Sequence, residues 1–82
     1  MISVVYFARL KEVLGLAEEQ LPQSPATVAD LIDLLAARGG VWAEELAGGK
    51  VFRVAINQEM ARLSDAIPEG AEVAIFPPVT GG

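Results

Sequence analysis

Thr27-Val28-Ala29-Asp30-Leu31-Ile32-Asp33-Leu34-Leu35-Ala36-Ala37-Arg38-Gly39-Gly40 is the stretch on which the fold turns. Val28, Leu31, Ile32 and Leu35 fall at i, i+3, i+4 and i+7, so four apolar side chains share one stripe of a helix. Thr27 is an N-cap residue type, and Asp30 stands where the acid of a capping box belongs. Leu34 and Ala36 flank the stripe, and Gly39-Gly40 stops the helix. A helix with one apolar stripe must bury it against another layer, and the flanking sequence offers strands for that purpose.

Upstream, Ile2 to Ala8 is rich in β-branched and aromatic residues and reads as a buried strand. Arg9 to Leu14 then has room for one or two helical turns, closed by Gly15 in the C′ role. Ala17 to Leu21 reads as a second strand, and Pro22 and Pro25 punctuate the loop before the long helix. Downstream, Trp42 to Ala47 suits a short helical piece ended by Gly48-Gly49. Val51 to Asn57 follows as a strand, with Phe52, Val54 and Ile56 alternating against Arg53, Ala55 and Asn57. Asn57-Gln58-Glu59 turns the chain into a short return strand near Met60, and Pro68-Glu69-Gly70 marks another turn. Glu72 to Phe76 is the last strand, which Pro77-Pro78 cannot continue as a central ladder member.

One main crossover helix on a mixed sheet of four to five strands is an α+β arrangement, and the β-grasp (ubiquitin-like) layout is the simplest with this order. The long crossover lets the first strand lie parallel to a later one, while hairpins supply antiparallel pairs. The expected organisation is a β-grasp domain over residues 1–76 and an extended C-terminal tail over residues 77–82.

Composition narrows the chemistry. The chain has 82 residues, no Cys and no His, with six Lys+Arg against eleven Asp+Glu for a formal charge of −5. Without cysteine there is no disulfide, thiolate metal site or thiol nucleophile. Without histidine the usual acid/base at neutral pH is missing too, so independent catalysis is not expected. The acidic balance argues against nucleic acid and anionic membranes, which need clustered Lys and Arg, and favours a partner with a basic face. The apolar N-terminus lacks the cationic lead of a signal peptide and no segment is long enough to span a bilayer, so a cytoplasmic protein is expected.

Three features invite a functional reading and fail to support one. Gly48-Gly49-Lys50 resembles the end of a phosphate loop, but Glu44 replaces the leading glycine and Val51 the Ser or Thr. Glu18-Glu19 and Glu44-Glu45 are adjacent acids that point different ways and read as solvated surface. Trp42, the sole tryptophan, reads as a cap on the end of the core, with an interface role as the alternative.

The informative segment is Phe76-Pro77-Pro78-Val79-Thr80-Gly81-Gly82. Two prolines stiffen the stem and lower the entropy lost on holding it extended. Pro77 to Gly82 can reach about 20 Å fully extended. Gly81-Gly82 can thread a narrow channel, and the tip offers only a main-chain carboxylate. That carboxylate, with a pKa of about 3.5, is a poor electrophile until it is activated, for example as an acyl-adenylate. A lysine would then give a conjugate and a sulfur donor a thiocarboxylate. A diglycine end that does nothing is the bland alternative.

The whole chain resembles the MoaD-type small subunit family of molybdopterin synthase, among the ubiquitin-like sulfur carriers. The resemblance is carried by Val5-Tyr6-Phe7-Ala8-Arg9-Leu10-Lys11-Glu12-Val13-Leu14-Gly15, by Val54-Ala55-Ile56-Asn57, and above all by Gly70-Ala71-Glu72-Val73-Ala74-Ile75-Phe76-Pro77-Pro78-Val79-Thr80-Gly81-Gly82. Ala71 departs from the acidic residue expected in the turn, which leaves the tail untouched. The resemblance implies that Gly82 is adenylated by an ATP-using, ubiquitin-activating-like adenylyltransferase and converted to a thiocarboxylate with sulfur from a sulfurtransferase or cysteine desulfurase. The loaded tail would enter the large catalytic subunit, lined there by Phe76, Pro77, Pro78, Val79, Thr80 and Gly81. It would give sulfur to a cyclic pyranopterin phosphate, two transfers building the dithiolene of molybdopterin within a heterotetramer. The chain itself would hold no cofactor and no metal, and ATP would belong to the activating partner. A ubiquitin-like protein modifier and a thiamine-pathway sulfur carrier are the alternatives, since both use the same activated glycine.

Overall fold

The chain enters as strand β1 (Ile2–Tyr6), turns through helix α1 (Ala8–Leu14) and returns as β2 (Glu18–Leu21). Helices α2 (Val28–Ala36) and α3 (Val41–Ala47) follow, then strands β3 (Arg53–Ile56), β4 (Glu59–Ala61) and β5 (Glu72–Phe76). These elements come from a computed structural model, which describes residues 1–78. The five strands form one sheet in the order β2-β1-β5-β3-β4. β1 and β5 pair in parallel at its centre, and the other three pairs are antiparallel. The parallel pair is possible because α2 and α3 lie in the connection between those strands.

The stripe of α2 behaves as its spacing requires. Val28, Leu31 and Leu35 are fully buried and Ile32 nearly so, in one cluster with Ile2, Val4 and Tyr6 of β1, Val54 of β3, and Val73 and Ile75 of β5. The Asp30 N–H donates to Thr27 Oγ1 at 3.2 Å. No return bond from the Asp30 carboxylate is found among the described residues, consistent with a side chain one methylene shorter than the glutamate of a full capping box. Gly15 takes the left-handed conformation at the end of α1 and its N–H donates to the Lys11 carbonyl at 3.1 Å.

Two local expectations change. β3 is shorter than residues 51–57, and Ala55 is buried along with Val54 although it lies on the opposite face. A bare methyl between the side chains of two flanking strands is screened without entering the core. The hairpin between β3 and β4 needs only Asn57 and Gln58, both at positive φ, as a tight two-residue turn demands.

Candidate functional site at the root of the C-terminal tail

Along each strand alternate side chains leave the helix-covered face for the open one, so the registers give rows across that open face. Ser3, Glu72 and Asn57 make one polar row. Val5, Ala74, Ala55 and Met60 make the next, which is apolar except for Glu18 at its β2 edge. The last row is Phe7, Phe76 and Arg53, where the chain leaves the sheet for its tail. The face therefore grades from polar to aromatic toward the tail root. Phe7 is 48% exposed and Met60 63% exposed. Large apolar side chains exposed on one surface are the composition of an interaction site.

The backbone around the root is held from both sides. The Phe7 N–H donates to the Ile75 carbonyl at 3.2 Å, and Ala8 then takes a left-handed conformation at φ 52° as the chain turns into α1. That reversal leaves Phe7 on the open face and sends Arg9 toward α3. Arg9 grips Glu45 with both terminal nitrogens, at 2.7 and 3.3 Å, and Lys50 Nζ reaches the same carboxylate at 2.9 Å. Glu45 is 4% exposed, and the hydrogen bonds from Arg9 first and Lys50 second hold its carboxyl below the usual carboxylate range. This triad joins the segment after β1 to the segment before β3, which are the two flanks of the tail root.

A second network closes the other end of α2 over β1. The Tyr6 hydroxyl donates to Glu19 Oε2 at 2.7 Å, and Arg38 donates to both Glu19 oxygens at 2.8 and 2.9 Å. The Arg38 guanidinium lies 4.4 Å over the Trp42 ring, and Trp42 meets Tyr6 edge-on at 5.4 Å. Burial, and then the Glu19 carboxylate, push the Tyr6 phenol well above its ordinary value. Arg38, chiefly by hydrogen bonding, lowers that of Glu19. Trp42 does lie against the core, as its cap role requires.

Glu19 and Glu45 correct the reading of the acid pairs as solvated surface. In each pair one acid is a structural anchor, and the signal missed was a cation far away in sequence. Lys50 is committed to Glu45 rather than open to a phosphate. Among the described residues no group of three or more Cys, His, Asp or Glu is placed to hold a metal. No helix among them is long and apolar enough to cross a membrane. A shallow groove of about 350 Å³ lies beside β4, and its charged lining residues, Glu59 and Asp65, are acidic and unsuited to an anion.

Of the tail residues expected at the site, Phe76 is the last residue of β5 and sits on the open face, partly exposed. Pro77 and Pro78 follow it outside the ladder and are also partly buried. Val79, Thr80, Gly81 and Gly82 lie outside the described residues. Phe7, Met60 and Arg53 are surface members of the site that strand patterning alone did not single out.

Comparison with known proteins agrees with this geometry. The ThiS family profile matches residues 4–82. The chain is 43% identical over 82 residues to the molybdopterin synthase sulfur carrier subunit of Haemophilus influenzae and 38% identical over 82 to that of Escherichia coli, covering the full length of both chains in each case. Among solved structures, that of SAMP1 from Haloferax volcanii superposes with a TM-score of 0.76 at 34% identity, covering 99% of this chain and 98% of the other. The five-stranded mixed sheet with its crossover helix is thus the ubiquitin-like β-grasp of these proteins, and the chain belongs to the ThiS family, among the molybdopterin synthase sulfur carrier subunits.

Proposed function

We propose that this chain carries sulfur on the main-chain carboxylate of Gly82 and delivers it to the large subunit of a molybdopterin synthase. The observation that carries the reading is the full-length match to sulfur carrier subunits, which extends through the tail. The composition supports it: with no cysteine in the chain, the C-terminus is the position that can hold transferable sulfur.

In this reading the Gly82 carboxylate attacks the α-phosphate of ATP in an adenylyltransferase and expels pyrophosphate. The outer sulfur of a persulfide on a sulfurtransferase or cysteine desulfurase then displaces AMP to give an acyl disulfide, and a thiol reductant cleaves that S–S bond, releasing the thiocarboxylate. Residues 77–82 act as the inserted segment, with Pro77 and Pro78 lowering the entropy lost on threading. Phe7, Phe76 and Met60 supply the apolar surface on which the partner closes. The chain is the non-catalytic subunit. The acid/base groups and the site for the cyclic pyranopterin phosphate belong to the large subunit, where the dithiolene forms. Incubation with ATP, the adenylyltransferase and a sulfur source should raise the intact mass by the difference between a sulfur and an oxygen atom. Absence of that gain, or its persistence after deletion of Gly82, overturns the reading.

Likeness to SAMP1, a protein also described as a small archaeal modifier, favours a second reading in which the activated glycine is joined to lysines of other proteins. Recovery of this chain in isopeptide linkage from cell extract would support that reading over sulfur delivery.

A further inference from the structure

The net charge and the placement of the charges point to different partners. Four of the six cations, Arg9, Lys11, Lys50 and Arg53, lie in the elements around the tail root, against three acids there, Glu12, Glu44 and Glu45, for a local balance of +1. The remaining two cations face eight acids, a balance of −6. The ionised Gly82 carboxylate lowers the tail-bearing end to zero, which still leaves it the less acidic end of the molecule. Within that end Arg9 and Lys50 are occupied by Glu45. Arg53 has no carboxylate at ion-pair distance among the described residues, is exposed, and stands directly across from Phe76 in the aromatic row. An exposed cation at the edge of two aromatic side chains on an open sheet face is the composition of an interface rim rather than of a solubilising surface.

We propose that Arg53 is a specificity residue of the docking face and that the partner presents a carboxylate there, beside an apolar patch and at the mouth that receives the tail. The proposal rests on the reading of the tail as the inserted segment and revises the partner chemistry that net charge alone suggests. Opposite charges across such a rim speed encounter and set register more than they add affinity. A single rim carboxylate facing Arg53 leaves the interior of the mouth free to receive the anionic tail and the cyclic pyranopterin phosphate.

The test is the association rate of the chain with the large molybdopterin synthase subunit of the same organism, at low and high salt. Arg53→Gln should slow association a fewfold and Arg53→Glu by about tenfold at low salt, both effects shrinking as salt screens them. An unaltered rate for Arg53→Glu, or a faster one, as a basic mouth would give, overturns the proposal while leaving sulfur delivery intact. Failure of the wild-type chain to bind that subunit overturns the underlying reading, and the proposal with it. Arg53→Gln, which keeps the length and polarity of an exposed strand residue, guards against loss of fold in the charge reversal.

Discussion

Arg9 at the start of α1 and Glu45 on α3 form a two-pronged ion pair, 2.7 and 3.3 Å long, that ties together the two segments flanking the tail root. Lys50 completes it from the other side at 2.9 Å. Glu45→Gln leaves two cations sharing a neutral amide in a largely buried place. We expect it to lower stability by about 1–3 kcal/mol, the range for hydrogen bonds to charged groups. Arg9→Gln should cost less, because Arg9 is half exposed and Lys50 remains. The urea midpoint at constant slope measures both.

The depressed carboxyls of Glu45 and Glu19 set the acid limit. Each is lower in the folded chain than in the unfolded one, so below its ordinary value the unfolded state binds more protons and stability rises with pH. Their contribution is complete above the ordinary value of 4.5 and is lost as pH falls through the lower folded values. Thermal melts stepped downward from pH 5 should show a falling midpoint, and the Glu45→Gln variant should show a shallower fall.

Much of this was legible in sequence because it rests on periodicity. The α2 stripe, the αL glycine after α1, the last strand and the proline stop are local patterns, and each falls where its residue types place it. The root of the tail was legible because Pro77-Pro78 cannot continue a central strand, and β5 does end at Phe76; Val79 to Gly82 lie outside the described residues. What was hidden depends on pairs distant in the chain. Glu45 meets Arg9 across 36 positions and Glu19 meets Arg38 across 19, and no spacing rule connects them. The open-face row of Phe7, Phe76 and Arg53 needs the strand order as well, since Phe7 and Phe76 become neighbours only through a parallel pairing of the two ends of the chain.

Tyr6 is the sole tyrosine and gives a clean alkaline probe. Its phenol is raised by burial and by Glu19, so the neutral form is favoured in the folded state. That contribution is present below the ordinary value near 10 and is lost as pH climbs toward the folded one. Tyrosinate absorbance should therefore appear only together with loss of the near-ultraviolet signal of Trp42. Glu19→Gln removes the charge behind part of the shift and should let ionisation begin at lower pH.

Gln58 occupies the second turn position of the β3–β4 hairpin at φ 72°, where a side chain is disfavoured and glycine is the preferred residue. Gln58→Gly should raise stability by about 0.5–1 kcal/mol. Asn57→Gly should not, although Asn57 also has positive φ, because the Asn57 side-chain oxygen accepts the Glu72 N–H at 3.0 Å. Thermal midpoints that rise for the first variant and fall for the second would separate backbone strain from the hydrogen bond.

Phe7 and Met60 are large, apolar and exposed, so the folded chain gains little from them. Phe7→Ser and Met60→Ser should each change folding stability by less than about 0.5 kcal/mol, the ordinary range for surface substitutions. If the open face receives the partner, the same two changes should weaken co-purification with the large subunit by tenfold or more, roughly 1.4 kcal/mol at the interface. The adenylation-dependent mass gain of Gly82 provides a separate readout, because Phe7 and Met60 do not react. Variants that keep their melting temperature and lose the partner place the two residues in docking. Variants that keep both show that the face is idle, and binding then depends on the tail alone.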